Sequence, residues 1–381
     1  MKKINLLIDF NNIASKALYV SRKNSNSKVF PSSQQDKQNL IIQLHNAICY
    51  EINIFKEVLA NVFICCDSKT TFRSDIYPNY KKTRKEKREL IEDIDFNTYN
   101  NLMNEYIEYL KTINNLSIIQ QNGLEADDLI YFITNDYIIH NISSIIVSSD
   151  KDLHQLIIHK KDGNAFILCY NNLYEKRTFT IHKDTFSMFA SKKNTIKNKM
   201  DINTIMEMMN NTHRNNDIIM EYINNVVNEL KITINIEEPN KVLVDKIFYG
   251  DTSDNITGIV PKDMKTKIKF TRRQLKDIIG LIDLESENII EELKNKKKDW
   301  LKYLVRKLEI GIEELKIICD NFKRNVKLIY LSNKTIPHRI YNYIPNHFYR
   351  DKWKKDIPEM MKFMFDIDDY DVIQKFKVFE Y

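Results

Sequence analysis

Nine carboxylates stand at five places along this 381-residue chain: Asp9; Asp67; Glu125, Asp127 and Asp128; Asp150 and Asp152; Asp251 and Asp254. Taken singly, each has an ordinary structural explanation. Asp9 and Asp67 follow apolar stretches, where an Asp turns the chain or caps a helix. Glu125, Asp127 and Asp128 would open a helix, whose dipole favours acids. Asp150 and Asp152 flank Lys151 in a loop, and Asp251 and Asp254 lie in the turn-rich stretch GDTSDNITGIVP (250–261). Taken together they imply more. Three acids within four positions exceed what a dipole needs, and Glu125 and Asp128 share a helical face at i, i+3. Ionised carboxylates gathered in one cleft repel one another unless a cation lies among them. Hard divalent cations take oxygen ligands, and Mg2+ combines one or two carboxylates with water and substrate phosphate. Two such ions about 3.5–4 Å apart would clamp the attacking and leaving oxygens of a phosphodiester. That chemistry needs no Ser or His nucleophile, and the eight His residues, His154 among them, show no metal-ligand spacing.

Gathering these acids requires a particular scaffold. INLLIDF (4–10), NVFICCD (61–67) and SSIIVSSD (143–150) read as buried strands that each end in an acid. SIIQQNG (117–123) reads as a strand and turn, and FILCY (166–170) as a further strand. Helical spacing covers 37–59, 97–112 and 125–138. Strand–helix alternation of this kind predicts an α/β fold with a mostly parallel central sheet flanked by helices. In such sheets ligands bind at the carboxyl ends of the strands, the edge to which three strands would deliver an Asp. From about 175 the texture changes: 184–240 is Asn-, Met- and Lys-rich with helical periodicity and little strand signal. Residues 241–330 are helical and basic, and the last fifty are rich in aromatics. The expected division is a core at 1–175 that includes a basic segment at about 69–95, a helical insertion at 176–240, a helical region at 241–335, and a tail at 336–381.

Residues 69–88, KTTFRSDIYPNYKKTRKEKR, hold eight Lys or Arg against two acids. Lys81, Arg84, Lys85 and Arg88 would share one helical face. A solvated surface helix is the common fate of such a run. Here, however, the run leaves the sheet directly after Asp67 and interleaves Phe72, Tyr77 and Tyr80 with its charges. Cations on phosphates and rings on bases suit single-stranded nucleic acid. The expected contacts are Arg73, Tyr80, Lys81, Lys82, Arg84, Lys85 and Arg88, joined by Lys262, Lys265 and Lys267 from a second basic stretch, 262–276, which would grip duplex phosphates. The net charge of +6 permits such a partner without establishing it. With 43% hydrophobic and 29% charged residues the chain reads as soluble and globular. No apolar run is long enough to cross a bilayer, and MKKINLLIDF is no signal peptide, so a cytoplasm is expected (a host cytoplasm if the source is viral). The five cysteines form no CxxC pair, and Cys65 and Cys66 read as small buried hydrophobes.

Four motifs, FRSDIYPNYKKTR (72–84), GLEADDLI (123–130), SSDKDLHQL (148–156) and GDTSDNITGI (250–259), occur in the order found in the structure-specific 5′ nucleases. The chain resembles that family, and within it most resembles phage enzymes of the T-even ribonuclease H type. The resemblance covers most of 1–170 and 241–335. It implies a PIN/resolvase-like nuclease core and a helix-hairpin-helix-like (H3TH) duplex grip. Asp9, Asp67, Glu125, Asp127, Asp128 and Asp150 would surround a first Mg2+. Asp152, Asp251 and Asp254 would serve a second, with Mn2+ as a substitute ion. Tyr80, Lys81 and Arg84 would form the base of a helical arch that takes a 5′ single strand. Lys81 and Arg84 join Asp150 as catalytic candidates, with Lys81 orienting the scissile phosphate. The 250–259 turn can hold K+ in this family, although GIVPKDMKTK here replaces the usual second glycine turn. The implied activity is 5′–3′ exonuclease and flap endonuclease cleavage of RNA primers and 5′ flaps. The implied partners are DNA and RNA–DNA hybrid, with a single-strand-binding protein or sliding clamp, for a monomeric enzyme. A PIN-type ribonuclease would lack the basic arch and the GDxSDN grip. An inactive DNA-binding protein would have lost motif acids, and none is missing.

Overall fold

The computed structural model describes residues 4–113, 116–160, 165–173, 177–182, 217–262, 264 and 269–341. The chain divides into two compact units, one of Met1–Lys69, Arg88–Glu237 and Tyr343–Tyr381 and one of Thr70–Lys87 and Glu238–Asn342.

The first unit is built on one mixed sheet, ordered β3-β2-β1-β4-β6-β7-β8, with β5 paired to β6. Its strands are β1 (Ile4–Asp9), β2 (Leu59–Cys66), β3 (Leu116–Gln120), β4 (Ser144–Val147), β5 (Ile158–His159), β6 (Phe166–Asn171), β7 (Thr178–His182) and β8 (Thr233–Glu237). β1 pairs in parallel with β2 and β4, β2 with β3, and β4 with β6. All six residues of β1 are buried, as expected for a central parallel strand covered on both faces. Helices Gln34–Phe55, Phe96–Lys111 and Ala126–Ile139 alternate with these strands, as the spacing predicts, and helix Phe10–Lys23, which the spacing did not reveal, follows β1. Phe10, Tyr106, Phe55, Tyr170 and Phe179 are among the largest side chains in the core.

The sequence reading of 176–240 as a helical insertion needs correction within the described residues. TFTIH (178–182) runs antiparallel to β6, and TINIE (233–237) pairs with it in parallel, so both extend the sheet. β8 is exposed at Thr233 and half-buried from Ile234 to Glu237, and this weak burial explains its faint hydrophobic signal. Helix Asp217–Glu229 precedes it; residues 183–216 lie outside the described residues.

The second unit is helical. Its helices include Phe72–Ile76, Pro239–Tyr249, Arg272–Ile279, Ile289–Asn295, Lys297–Leu308 and Ile312–Ile329. Trp300 is fully buried among them, edge-on to Phe248 at 5.2 Å, with its indole N–H on the Leu293 carbonyl at 3.0 Å. Thr70–Lys87 packs in this unit, whereas the sequence reading placed 69–95 with the core. The reason is apolar: Tyr80 is buried in the helical unit's own core, with Ile76 and Tyr77 packed against it. Among the described residues no helix is long and apolar enough to cross a membrane.

Candidate active site

β1 and β2 are adjacent and parallel, so their last residues reach the same edge. Asp9 stands opposite Cys65, and Asp67 follows one residue after β2 ends. β4, on the other side of β1, leads through Ser148 and Ser149 to Asp150. Helix Ala126–Ile139 begins at this edge too, because the Ala126 N–H donates to Asp67 Oδ1 at 2.8 Å. The local structural duties foreseen for single acids are therefore real. Asp9 Oδ1 accepts from the Asn12 N–H at 3.1 Å, and Asp150 Oδ1 from the Asp152 N–H at 2.9 Å. Asp128, only 1% exposed, accepts the Glu125 N–H at 3.1 Å. Capping and convergence coexist, since each cap occupies one part of a carboxylate.

Electrostatics mark Asp9 as the centre of this group. Burial pushes its carboxyl up to about 6, and the Asp67 and Asp150 charges push in the same direction. Hydrogen bonds from Ser148 and Asn12 oppose them without prevailing. A buried carboxylate facing two others is the situation a divalent cation relieves. Asp127 is half-buried nearby, and its charge helps to raise the Cys65 and Cys169 thiols, which burial raises first. Among the described residues no three His, Cys, Asp or Glu side chains already clasp one point. Asp67 Oδ2 instead accepts from Asn11 Nδ2 at 2.7 Å, and Asp9 Oδ2 from Ser148 Oγ at 2.8 Å. The donor set is all oxygen and partly engaged, which suits an ion that keeps much of its water shell.

Asn11, Asn12, Ser148 and Ser149 were not foreseen. Asn12 Oδ1 accepts from the Ser149 backbone N–H at 3.2 Å, tying the ends of β1 and β4 together. Their only sequence signal is that polar residues directly follow two strands. A second unforeseen group is Lys16, Glu51 and Asn172. Lys16 Nζ donates to Asn172 Oδ1 at 2.5 Å, and Asn172 Nδ2 to Glu51 Oε1 at 2.8 Å. Burial lowers Lys16 to about 8 and raises Glu51 to about 7.

The remaining predicted residues, apart from Arg88, belong to the helical unit. Gly250, with φ +85°, opens the 250–259 turn; a Cβ there would come within 2.4 Å of the Ile256 carbonyl, so only glycine fits. Asp251 accepts Lys246 Nζ at 2.8 Å and the Ser253 N–H at 2.8 Å. Burial alone would raise its carboxyl, but these partners hold it below the ordinary range. Asp254 pairs with Arg84 at 2.6 Å and accepts the Tyr80 hydroxyl at 3.1 Å. These two acids, expected at a second metal, are thus already neutralised by cations of their own unit. Arg73, expected on nucleic acid, is 2% exposed and donates to the Leu328 carbonyl at 2.8 Å. Phe72 and Tyr80 are buried, so these rings pack the core instead of facing bases. Lys82, Arg84, Lys85, Arg88 and Lys262 are exposed, and Lys81 is half-exposed. Lys265 and Lys267 lie outside the described residues.

Residues 5–188 match the family model described as the 5′-3′ exonuclease, N-terminal resolvase-like domain. No curated protein matches the sequence. Solved structures similar to the chain include the 5′-exonuclease of bacteriophage T5 with bound zinc, at 15% identity and TM-score 0.41, covering 87% of this chain and 91% of that one. Another is a T5 flap endonuclease in a pseudo-enzyme-product complex with DNA and metal ions, at 15% identity and TM-score 0.42, covering 85% and 99%. That match spans β1 to β7 and the acids from Asp9 to Asp152, so residues 5–188 carry the N-terminal resolvase-like domain of the 5′-3′ exonucleases.

Proposed function

We propose that this nuclease is Mg2+-dependent and removes RNA primers and 5′ flaps during DNA replication. The observation that carries the metal dependence is Asp9, buried beside the Asp67 and Asp150 charges with its carboxyl raised to about 6. The residues proposed to hold two ions are Asp9, Asp67, Glu125, Asp127, Asp128, Asp150 and Asp152. Asp251 and Asp254 are held by Lys246 and Arg84 within the helical unit. Divalent cations bound among these carboxylates would activate a water and stabilise the leaving oxygen. Mn2+ is expected to substitute for Mg2+.

The chain's own residues supply the rest. The bonds from Ser148, Asn12 and Asn11 fix the Asp9 and Asp67 carboxylates. Lys81 is proposed to orient the scissile phosphate. Exposed Lys82, Lys85 and Lys262 would add phosphate contacts that position without specifying sequence. A DNA or RNA–DNA duplex with a 5′ single strand is the proposed substrate, cut by a monomer that works with a single-strand-binding protein or sliding clamp. K+ at the 250–259 turn fits less well, because the Thr257 and Ile259 carbonyls accept from side chains of the protein.

The deciding assay is digestion of 5′-labelled flap, nicked and RNA-primed duplexes with and without Mg2+, with product lengths read out. Asp150→Asn should lose cleavage by on the order of 10²–10³-fold, the scale of a single key electrostatic group. Cleavage in EDTA, or full Mg2+-dependent activity in that variant, would overturn the assignment.

A further inference from the structure

The 250–259 turn closes through a two-residue ladder, Asp251 opposite Ile256 and Gly250 opposite Thr257, and the Ile259 N–H returns to the Phe248 carbonyl at 2.9 Å. The carbonyls of Ile247, Thr257 and Ile259 all accept side-chain donors from one helix. Buried carbonyls need donors or positive charge, and a monovalent cation is one way to supply the charge.

Here three consecutive-turn side chains of the Ile312–Ile329 helix supply them. Arg324 Nη2 donates to the Thr257 carbonyl at 3.0 Å and to Thr257 Oγ1 at 2.9 Å. Asn325 Nδ2 donates to the same carbonyl at 2.9 Å and to the Ile247 carbonyl at 2.9 Å. Asn321 Nδ2 takes the Ile259 carbonyl at 3.2 Å. A carbonyl oxygen has two lone pairs, and both of Thr257's are used. The guanidinium is itself held in place: Nη1 donates to Asn321 Oδ1 at 2.8 Å, Nε to Asn325 Oδ1 at 3.1 Å, and Cζ lies 4.9 Å from the Tyr77 ring centroid. Asn325 is fully buried. The fork is oriented before any ligand arrives.

We propose that Arg324 is a built-in cation for the grip turn, so that this chain shapes the turn without potassium. Arg324 is thereby a positioning residue for duplex binding, acting through the backbone of Thr257. Burial lowers its pKa from the ordinary arginine value, and the Tyr77 contact works against that. The duplex role rests on the nuclease assignment above; the cation role does not.

Two measurements separate them. Thermal melting of the DNA-free protein in KCl and in tetramethylammonium chloride at equal ionic strength should give the same midpoint. A K+-specific rise of several degrees would mean that an ion binds N, as mass action requires, and would overturn the proposal. Fluorescence anisotropy on a nicked duplex without divalent metal should give Kd values within about twofold in the two salts, against the roughly tenfold change that one lost charge-assisted bond brings. Binding that is several-fold tighter in K+ would also overturn it. Binding in neither salt would sink the duplex assignment and leave the melting result to decide the cation. Arg324→Met should weaken duplex binding about tenfold in both salts, and Arg324→Lys less, since lysine keeps the charge but not the fork. If either variant fails to fold, the wild-type comparison still decides.

Discussion

The backbone N–H of Lys81 donates to the Asp254 carbonyl at 2.9 Å, and Lys81 has a φ of 54°. A lysine in the left-handed region costs about 1–2 kcal/mol and persists only where neighbours impose it. Those neighbours are the residues of the grip turn. Arg84 binds the Asp254 carboxylate and donates to the Ser253 carbonyl at 2.9 Å, and Asn255 Nδ2 donates to the Asn79 carbonyl at 2.8 Å. The base of the basic segment therefore takes its shape from residues 253–255. Asp254→Ala should release Arg84 and Tyr80 together and slow flap cleavage about tenfold or more, the loss typical of a supporting group around a site. Asp254→Asn keeps an acceptor for Tyr80 and should fall in between. Single-turnover rates decide this; equal rates for wild type and Asp254→Ala would refute the coupling.

Lys81→Ala tests the residue being positioned. If Lys81 orients the reacting phosphate, single-turnover cleavage should fall on the order of 10²-fold while the duplex Kd changes about threefold or less. Equal losses in the two quantities would make Lys81 a source of charge only. The slope of log Kd against log salt should change by about one phosphate contact at most.

Asp9→Asn should stabilise the metal-free protein at neutral pH. The sign follows from the raised carboxyl. Its folded value is about 6 against an ordinary 3.8, so the folded state holds the proton longer than the unfolded one. Stability is thus lost as pH rises from about 4 through 6, by on the order of 2–3 kcal/mol at pH 7. Urea melts in EDTA should show the variant and wild type alike near pH 3.5 and the variant more stable at pH 7. Added Mg2+ should then stabilise wild type more than the variant. A variant less stable than wild type at pH 7 in EDTA would contradict the account.

Arg73→Lys distinguishes packing from nucleic-acid contact. The guanidinium is buried on the Leu328 carbonyl and over the Phe72 ring, 4.7 Å from its centroid. The variant should lose about 1–3 kcal/mol of stability, the range for a buried charge-assisted bond. The salt dependence of duplex binding should stay unchanged. A shallower salt slope with unchanged stability would return Arg73 to the phosphate contacts.

The sequence by itself determined the sheet edge. Short, mostly apolar runs leading to Asp9, Asp67 and Asp150 can be read without coordinates, because a strand buried on both faces shows little polar alternation and its pattern is local. What tertiary structure decided was the fate of each charge. Arg73 and Arg84 lie in one basic run, yet one is buried on a carbonyl 255 residues away and the other pairs with Asp254, 170 residues away. Strand β8 was likewise obscure, since an edge strand with no fully buried residue carries no apolar signature. Burial and long-range partners set the ionisation of Asp9, the neutralisation of Asp251 and Asp254, and the left-handed turn at Lys81. None of these is encoded in spacing, because each depends on groups that only the folded chain brings within a few ångströms.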